Sequence, residues 1–185
     1  MARTPSNMLA LGTKAPDFTL KDLNSNQTLS FSDIRGDKGT VVVFMCNHCP
    51  FVIHMIEELV RVENDYHVQG IGFVGINSND VENYPEDAPE NMTKFAAKYK
   101  MDFPYLFDET QEVAKAYDAA CTPDIYLFDS RDQLVYRGQL DDARPGNHIP
   151  LNGADLRIAL DALLYNRKYP DPQKPSIGCN IKWKH

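Results

Sequence analysis

Apolar and polar positions along the chain change period in an order that predicts one α/β domain. Thr40-Val41-Val42-Val43-Phe44-Met45 is a continuous apolar, largely β-branched run, the pattern of a central strand covered on both faces. Directly after it, Val52, Met55, Ile56, Leu59, Val62 and Tyr66 recur at helical spacing, with His54, Glu57, Glu58, Arg61 and Asp65 on the opposite side. Upstream, the alternating segments 17–20 and 28–31 flank Asn24-Ser25-Asn26-Gln27 and read as a hairpin. Downstream, 70–77 is a second buried strand, followed by a polar, proline-containing stretch, 78–90, that reads as a surface loop. Met92, Phe95, Ala96 and Tyr99 mark a helix and 105–107 a strand. Val113, Ala116 and Tyr117 mark a short helix that Asp108 or Thr110 caps. The strands 124–129 and 133–138 form an antiparallel hairpin, and Leu156, Ala159, Leu160, Leu163 and Leu164 a last helix beginning near Asn152. Such an order suggests a mixed central sheet with helices on both faces. Residues 167–185 carry Pro170, Pro172 and Pro175 without a period, so they read as an extended carboxyl-terminal tail rather than a second domain.

Composition narrows the partners. With 43% hydrophobic and 24% charged residues the chain is globular, not disordered or collagen-like. The net charge of −7 supplies no basic field for a phosphate backbone, which excludes nucleic acid as the expected partner. No apolar run approaches the roughly 18 residues of a membrane span, so no membrane is expected either. The first ten residues have one basic residue and a short apolar patch soon broken by Gly12 and Pro16, a poor secretion signal, and the chain is expected to be cytoplasmic. Nothing in the pattern specifies an oligomeric state.

The candidate chemistry lies where the central strand meets the helix. Four cysteines are too few for a disulfide framework, but Cys46-Asn47-His48-Cys49 has the spacing of a redox dithiol or of metal ligands. A thiol at a helix start faces unpaired backbone N–H groups, so its thiolate is stabilised, and Cys46 is expected to feel this most, with Cys49 more buried. His48 adds a cation or donor beside Cys46, which makes the disulfide more oxidising, and Pro50 stiffens the first helical turn. His54 reads as a solvated residue of the helix face, and Asp141, Asp142 and Arg144 as solvated loop charges. Thr122-Pro123, at the mouth of a strand, is a candidate cis peptide.

Taken together, the apolar strand, the Cys-x-x-Cys, the amphipathic helix and Thr122-Pro123 before the last hairpin resemble the thioredoxin fold. The additions at the amino terminus and in mid-chain resemble its redoxin branch, which groups AhpC/TSA (peroxiredoxin-like) proteins with TlpA-like thiol-disulfide oxidoreductases. Ala15-Pro16-Asp17-Phe18 matches the branch's opening, and 138–145 with 178–184 are similar to a bacterial redoxin subgroup. The resemblance implies a redoxin domain over 12–166 with a tail over 167–185, no cofactor, and a thiol-disulfide oxidoreductase. It further implies Cys46 as the attacking thiolate, Cys49 as the resolving cysteine, and Thr122 and Pro123 as the surface that binds a partner by backbone hydrogen bonds. The expected partners are a disulfide-containing protein or small thiol substrate and a thiol reductant.

Two other readings stay open: an antioxidant thiol peroxidase, and a copper or zinc carrier using Cys46, Cys49 and His48 or His54. Neither cysteine fits the peroxiredoxin pattern Pro-x-x-x-Thr/Ser-x-x-Cys, and thioredoxin's buried acid has no match in residues 40–44. Cys121 and Cys179 are candidate extra thiols: Cys121 reads as a small buried hydrophobe before it reads as a redox thiol facing Cys46, and Cys179 reads equally as a further resolving residue, should the tail fold back, or as a free cysteine.

Overall fold

The computed structural model describes residues 3–184; Met1, Ala2 and His185, the outermost residues of the amino-terminal stretch and of the tail, lie outside them. Strand β1 (Arg3–Pro5) precedes the expected hairpin, β2 (Thr19–Asp22) and β3 (Thr28–Ser30), in which Leu20 faces Leu29. The hairpin stops one residue short of its alternating pattern because Ser30 and Asp33 close a capping box, Asp33 accepting the Ser30 N–H at 2.8 Å. Phe31 therefore opens a one-turn helix, α1 (Phe31–Ile34).

The main domain follows as β4 (Gly39–Phe44), α2 (Pro50–His67), β5 (Ile71–Asn77), a 3-10 turn (Pro85–Asp87), α3 (Pro89–Tyr99), β6 (Tyr105–Phe107) and α4 (Glu112–Ala116). It continues through β7 (Cys121–Thr122), β8 (Asp124–Asp129), β9 (Leu134–Gly138), α5 (Ala154–Leu164) and β10 (Ile177–Asn180). One mixed sheet has the order β3-β2-β6-β5-β4-β8-β9. Strands β4, β5 and β6 are parallel, while β8 returns antiparallel along the whole of β4. The apolar run becomes the centre of the sheet because both of its faces are buried. Val41 and Val43 pack against α2, α3 and α5, whereas Val42 and Phe44 pack against α1 and α4. Asp108 caps α4, accepting the Ala114 N–H at 2.9 Å.

Segment 167–184 has no hydrophobic period, yet its β10 is a strand of a second sheet, β1-β10-β7. Backbone pairing needs no amphipathic pattern. What it needs here is close approach: a Cβ on Gly178 would run into the Thr122 carbonyl, so only glycine lets β10 lie this near β7. Cys179 and Ile181 then enter the two hydrophobic cores.

The 78–90 stretch is a surface loop only in part: Glu82, Asn83, Pro85, Glu86 and Glu90 are exposed, but Ser78, Asn79, Asp80 and Asp87 are buried. Parallel β4 and β5 end at the same edge of the sheet, so residues after β5 land beside residues 46–49, where their polar groups find partners. Likewise Asp141 is buried rather than solvated, accepting the N–H groups of Ala143, Asn152 and Gly153 ahead of α5. No helix of the described residues is long and apolar enough to cross a membrane.

Candidate functional site

Met45 continues the sheet ladder by donating to Ile76 at 2.9 Å, and Cys46 follows where β4 ends. The chain turns through Asn47 and His48 to Cys49, which is the N-cap of α2, with Pro50 exposed at the first helical position. Both cysteines are buried, at 1% and 0% exposure. Both rest against Thr122, whose bond to Pro123 is cis. Cys46 Sγ lies 3.5 Å from Thr122 Oγ1, and Cys49 Sγ lies 3.1 Å from the Thr122 carbonyl oxygen.

On the outer side the partners are polar. Asp87, from the end of the 3-10 turn, accepts the Asn47 N–H at 2.8 Å and the Asn79 side-chain amide at 2.7 Å, and holds His48 Nδ1 at 2.7 Å. Tyr84 stacks on the His48 ring, and Tyr105 donates to Asn47 Oδ1 at 3.0 Å. His48 Nδ1 stands 4.0 Å from Cys46 Sγ. Asp87 and Tyr84 escape a reading of the sequence, because the five acids and two prolines of 78–90 look like solvated loop. The usable signal was topological, since the loop after β5 has to share an edge with the turn after β4.

On the inner side the partners are sulfur and backbone. Cys179 Sγ is 3.0 Å from Cys49 Sγ, brought there by the antiparallel register that sets Cys179 opposite Thr122. Cys121, one residue before Thr122, turns its sulfur back onto the Pro123 carbonyl at 3.4 Å. Burial pushes its thiol far up.

These surroundings determine where charge settles. The Cys46 thiol donates to Cys49, and with the Cys179 thiol and the Val52 and Cys179 N–H groups this outweighs burial and brings Cys49 down to about 5. The Thr122 carbonyl is the neighbour that favours its protonated form. Cys46 moves the other way, well above an ordinary thiol, by sharing its proton with Cys49, by burial and by the negative charge of Asp87. The pair thus gives up one proton readily and holds the second. The sequence reading puts the pull of the helix on Cys46; since α2 starts at Pro50, the helix amide that lowers a thiol is that of Val52, acting on the N-cap residue Cys49. His48 is raised by its hydrogen bond to Asp87, so its positive charge is paired with a carboxylate before it reaches the Cys46 sulfur.

Cys46, His48 and Asp87 also place one potential metal-binding atom each within 4.8 Å of one another. The Asp87 oxygens already accept from Asn47, His48 and Asn79, and His48 Nδ1 is spent on Asp87. His54 stands elsewhere. Half-buried rather than solvated, it has an enclosed Nε2 without a partner and lines a small pocket with Phe51, Met55, Pro123 and Arg144. Its helix face is covered by the loop after β9.

Comparison with known proteins supports the same architecture. A solved structure of a conserved protein from Geobacillus kaustophilus is 58% identical, covers 100% of this chain and 97% of its own, and superposes with a TM-score of 0.97. The thioredoxin domain of a thiol-disulfide oxidoreductase from Bacteroides vulgatus shares the fold at 22% identity and a TM-score of 0.60, over 70% of this chain and 89% of that one. The thiol-disulfide oxidoreductase ResA of Geobacillus thermodenitrificans is 28% identical over 134 residues, 71% of this chain and 70% of that protein. Residues 11–137 match the model of the AhpC/TSA family, and with its thioredoxin-like fold the chain belongs to that family.

Proposed function

We propose that the chain is a thiol-disulfide oxidoreductase working through Cys46 and Cys49. The observation that carries the reading is the seating of both sulfurs against Thr122, at the end of the central strand and the start of α2. Cys46 has the half-buried His48 at its side, while Cys49 is enclosed by Thr122 and Cys179, so Cys46 meets the substrate first.

The reaction balances within the pair. Cys46 passes its proton to the Cys49 thiolate and attacks one sulfur of the substrate disulfide; the S–S bond breaks and the other substrate sulfur leaves as a thiolate. That thiolate takes the proton from Cys49, which then attacks Cys46 Sγ. The Cys46–Cys49 disulfide forms, the second substrate thiolate is released, and two electrons have passed to the substrate. A thiol reductant reverses the steps on the chain. A small pocket lined by Phe51, His54, Pro123 and Arg144 flanks the site, whereas the backbone of Thr122, which the sequence suggests would pair with a partner, is buried and already paired with Cys179 of β10. The Asp87–His48 ion pair holds the turn in place and leaves the couple less oxidising than a lone imidazolium would make it.

The test is Cys49→Ser incubated with oxidised glutathione. A mixed disulfide trapped on Cys46 is expected, and full turnover by this variant overturns the reading. Peroxide is the competing substrate class, and peroxide consumption faster than that of free cysteine would favour it. Metal carriage is a second reading, favoured by the grouping of Cys46, His48 and Asp87. It requires stoichiometric copper or zinc in protein purified under reducing conditions. A dithiol of this kind turns over in a reducing compartment such as the cytoplasm, which cell fractionation checks.

A further inference from the structure

We infer that Cys179 is a third redox thiol, and that the oxidised chain exchanges its Cys46–Cys49 disulfide for a Cys49–Cys179 disulfide. The inference rests on the dithiol reading above and extends it from two cysteines to three.

Three observations place Cys179. Its sulfur is 3.0 Å from Cys49 Sγ, about 1 Å from bonding distance. The β10–β7 pairing fixes Cys179 opposite Thr122, the residue against which Cys46 and Cys49 both rest. Gly178 permits that approach, because any side chain there would strike the Thr122 carbonyl. Cys49 thus meets Cys179 across the β10–β7 pairing, while Cys46 lies three residues before it in the turn and touches the same Thr122.

The step is a thiol-disulfide exchange with no net change of oxidation state. Starting from the Cys46–Cys49 disulfide, Cys179 loses its proton and attacks Cys49 Sγ. The Cys49–Cys179 bond forms, the Cys46–Cys49 bond breaks, and Cys46 leaves as a thiolate that takes up the proton. In reduced protein Cys179 is held up at about 12 by burial and by its hydrogen bond and charge interaction with Cys49. Oxidation of Cys49 removes the last two. The exchange takes the disulfide off Cys46, leaving it between two sulfurs that are as buried as the first pair, and returns Cys46 as a free thiol beside the half-buried His48.

The experiment uses the full chain oxidised in glutathione buffers, quenched with acid, alkylated under denaturing conditions and mapped by mass spectrometry without reduction. Two linked peptide pairs are expected in the wild type, Cys46–Cys49 and Cys49–Cys179, with alkylation of Cys46 and of Cys179 mutually exclusive among oxidised molecules. Cys179→Ser and Cys179→Ala should lose both the second pair and the labelling of Cys46, whereas Cys121→Ser keeps the wild-type map. Should either Cys179 variant fail to fold, the wild-type map decides alone. A wild-type map with Cys46–Cys49 only, and Cys179 alkylated in every oxidised molecule, overturns the exchange and leaves the dithiol reading standing. A map with neither bond overturns both.

Discussion

The outer and inner halves of the thiol site are built from different chemistry. Around Cys46 stand a carboxylate, an imidazole, two asparagines and a stacked tyrosine, all from the turn after β4 and the loop after β5. Around Cys49 stand a carbonyl, a second sulfur and the helix amides, contributed by β7, β10 and α2. On the thiol-disulfide reading proposed above, the outer half would handle protons beside the half-buried His48 and the inner half the sulfur–sulfur exchange. A thiol that has to meet substrate gains from the first environment, and a thiol that has to resolve gains from the second. The low-pKa member is nevertheless the inner one, held down chiefly by the proton shared from Cys46, with the Cys179 thiol and the Val52 amide adding to it.

The largest effect expected from breaking the comparison is on activity. Cys46→Ser should reduce disulfide turnover to background while leaving the fold intact, as a turnover assay paired with circular dichroism would read; retained turnover would make Cys49 the attacking residue. The frame behind Thr122 and Pro123 comes next. Arg137, fully buried, donates to Asp124 at 3.0 Å and to the Asp118 carbonyl at 2.7 Å, and covers the Tyr126 ring. Arg137→Met strands a buried carboxylate and should cost about 3–5 kcal/mol, measured from the denaturant midpoint.

Asp87→Asn tests the outer half. Losing charged hydrogen bonds to His48 and the turn should cost roughly 1.5–3 kcal/mol. It should also lower the His48 titration followed by NMR. Because the folded His48 value is raised, its contribution is fully present below the unfolded value of about 6.5 and fades as pH rises through the higher folded value. The variant should lose that slope, and an unchanged pH–stability curve would show that the ion pair contributes nothing. Gly178→Ala tests the inner half, pushing β10 from β7 at a cost of about 1–3 kcal/mol and lowering the yield of the Cys49–Cys179 bond. The gentlest test leaves the chain unaltered. Thiolate absorbance of reduced protein should rise in a first step near pH 5, with the second thiol of the pair following well above the ordinary thiol value. A single step at an ordinary thiol value would erase the electrostatic difference between the halves.

Much of the scaffold was readable in the chain. Val41–Phe44 announced a doubly covered strand, the 52–66 stripe a helix, and Cys46, Cys49, Thr122 and Pro123 the elements of a dithiol site. The misreadings share a cause. Asp87, Asp141 and His54 look solvated to any rule based on polarity, yet Asp87 meets His48 across 39 positions, His54 is covered by the loop after β9, and Asp141 is wrapped by the amides of the loop that follows it. Cys179 meets Cys49 across 130.

Periodicity and turn chemistry are local properties, so the sequence by itself determined the order of strands and helices, the central position of β4 and the placing of two cysteines where it meets α2. Partners and charge were decided by tertiary structure: which acid pairs with His48, which cysteine takes the negative charge, and which strand lies against Thr122. Desolvation and hydrogen bonding act through space, and they depend on which edges the parallel β4 and β5 share and on how near Gly178 lets β10 come.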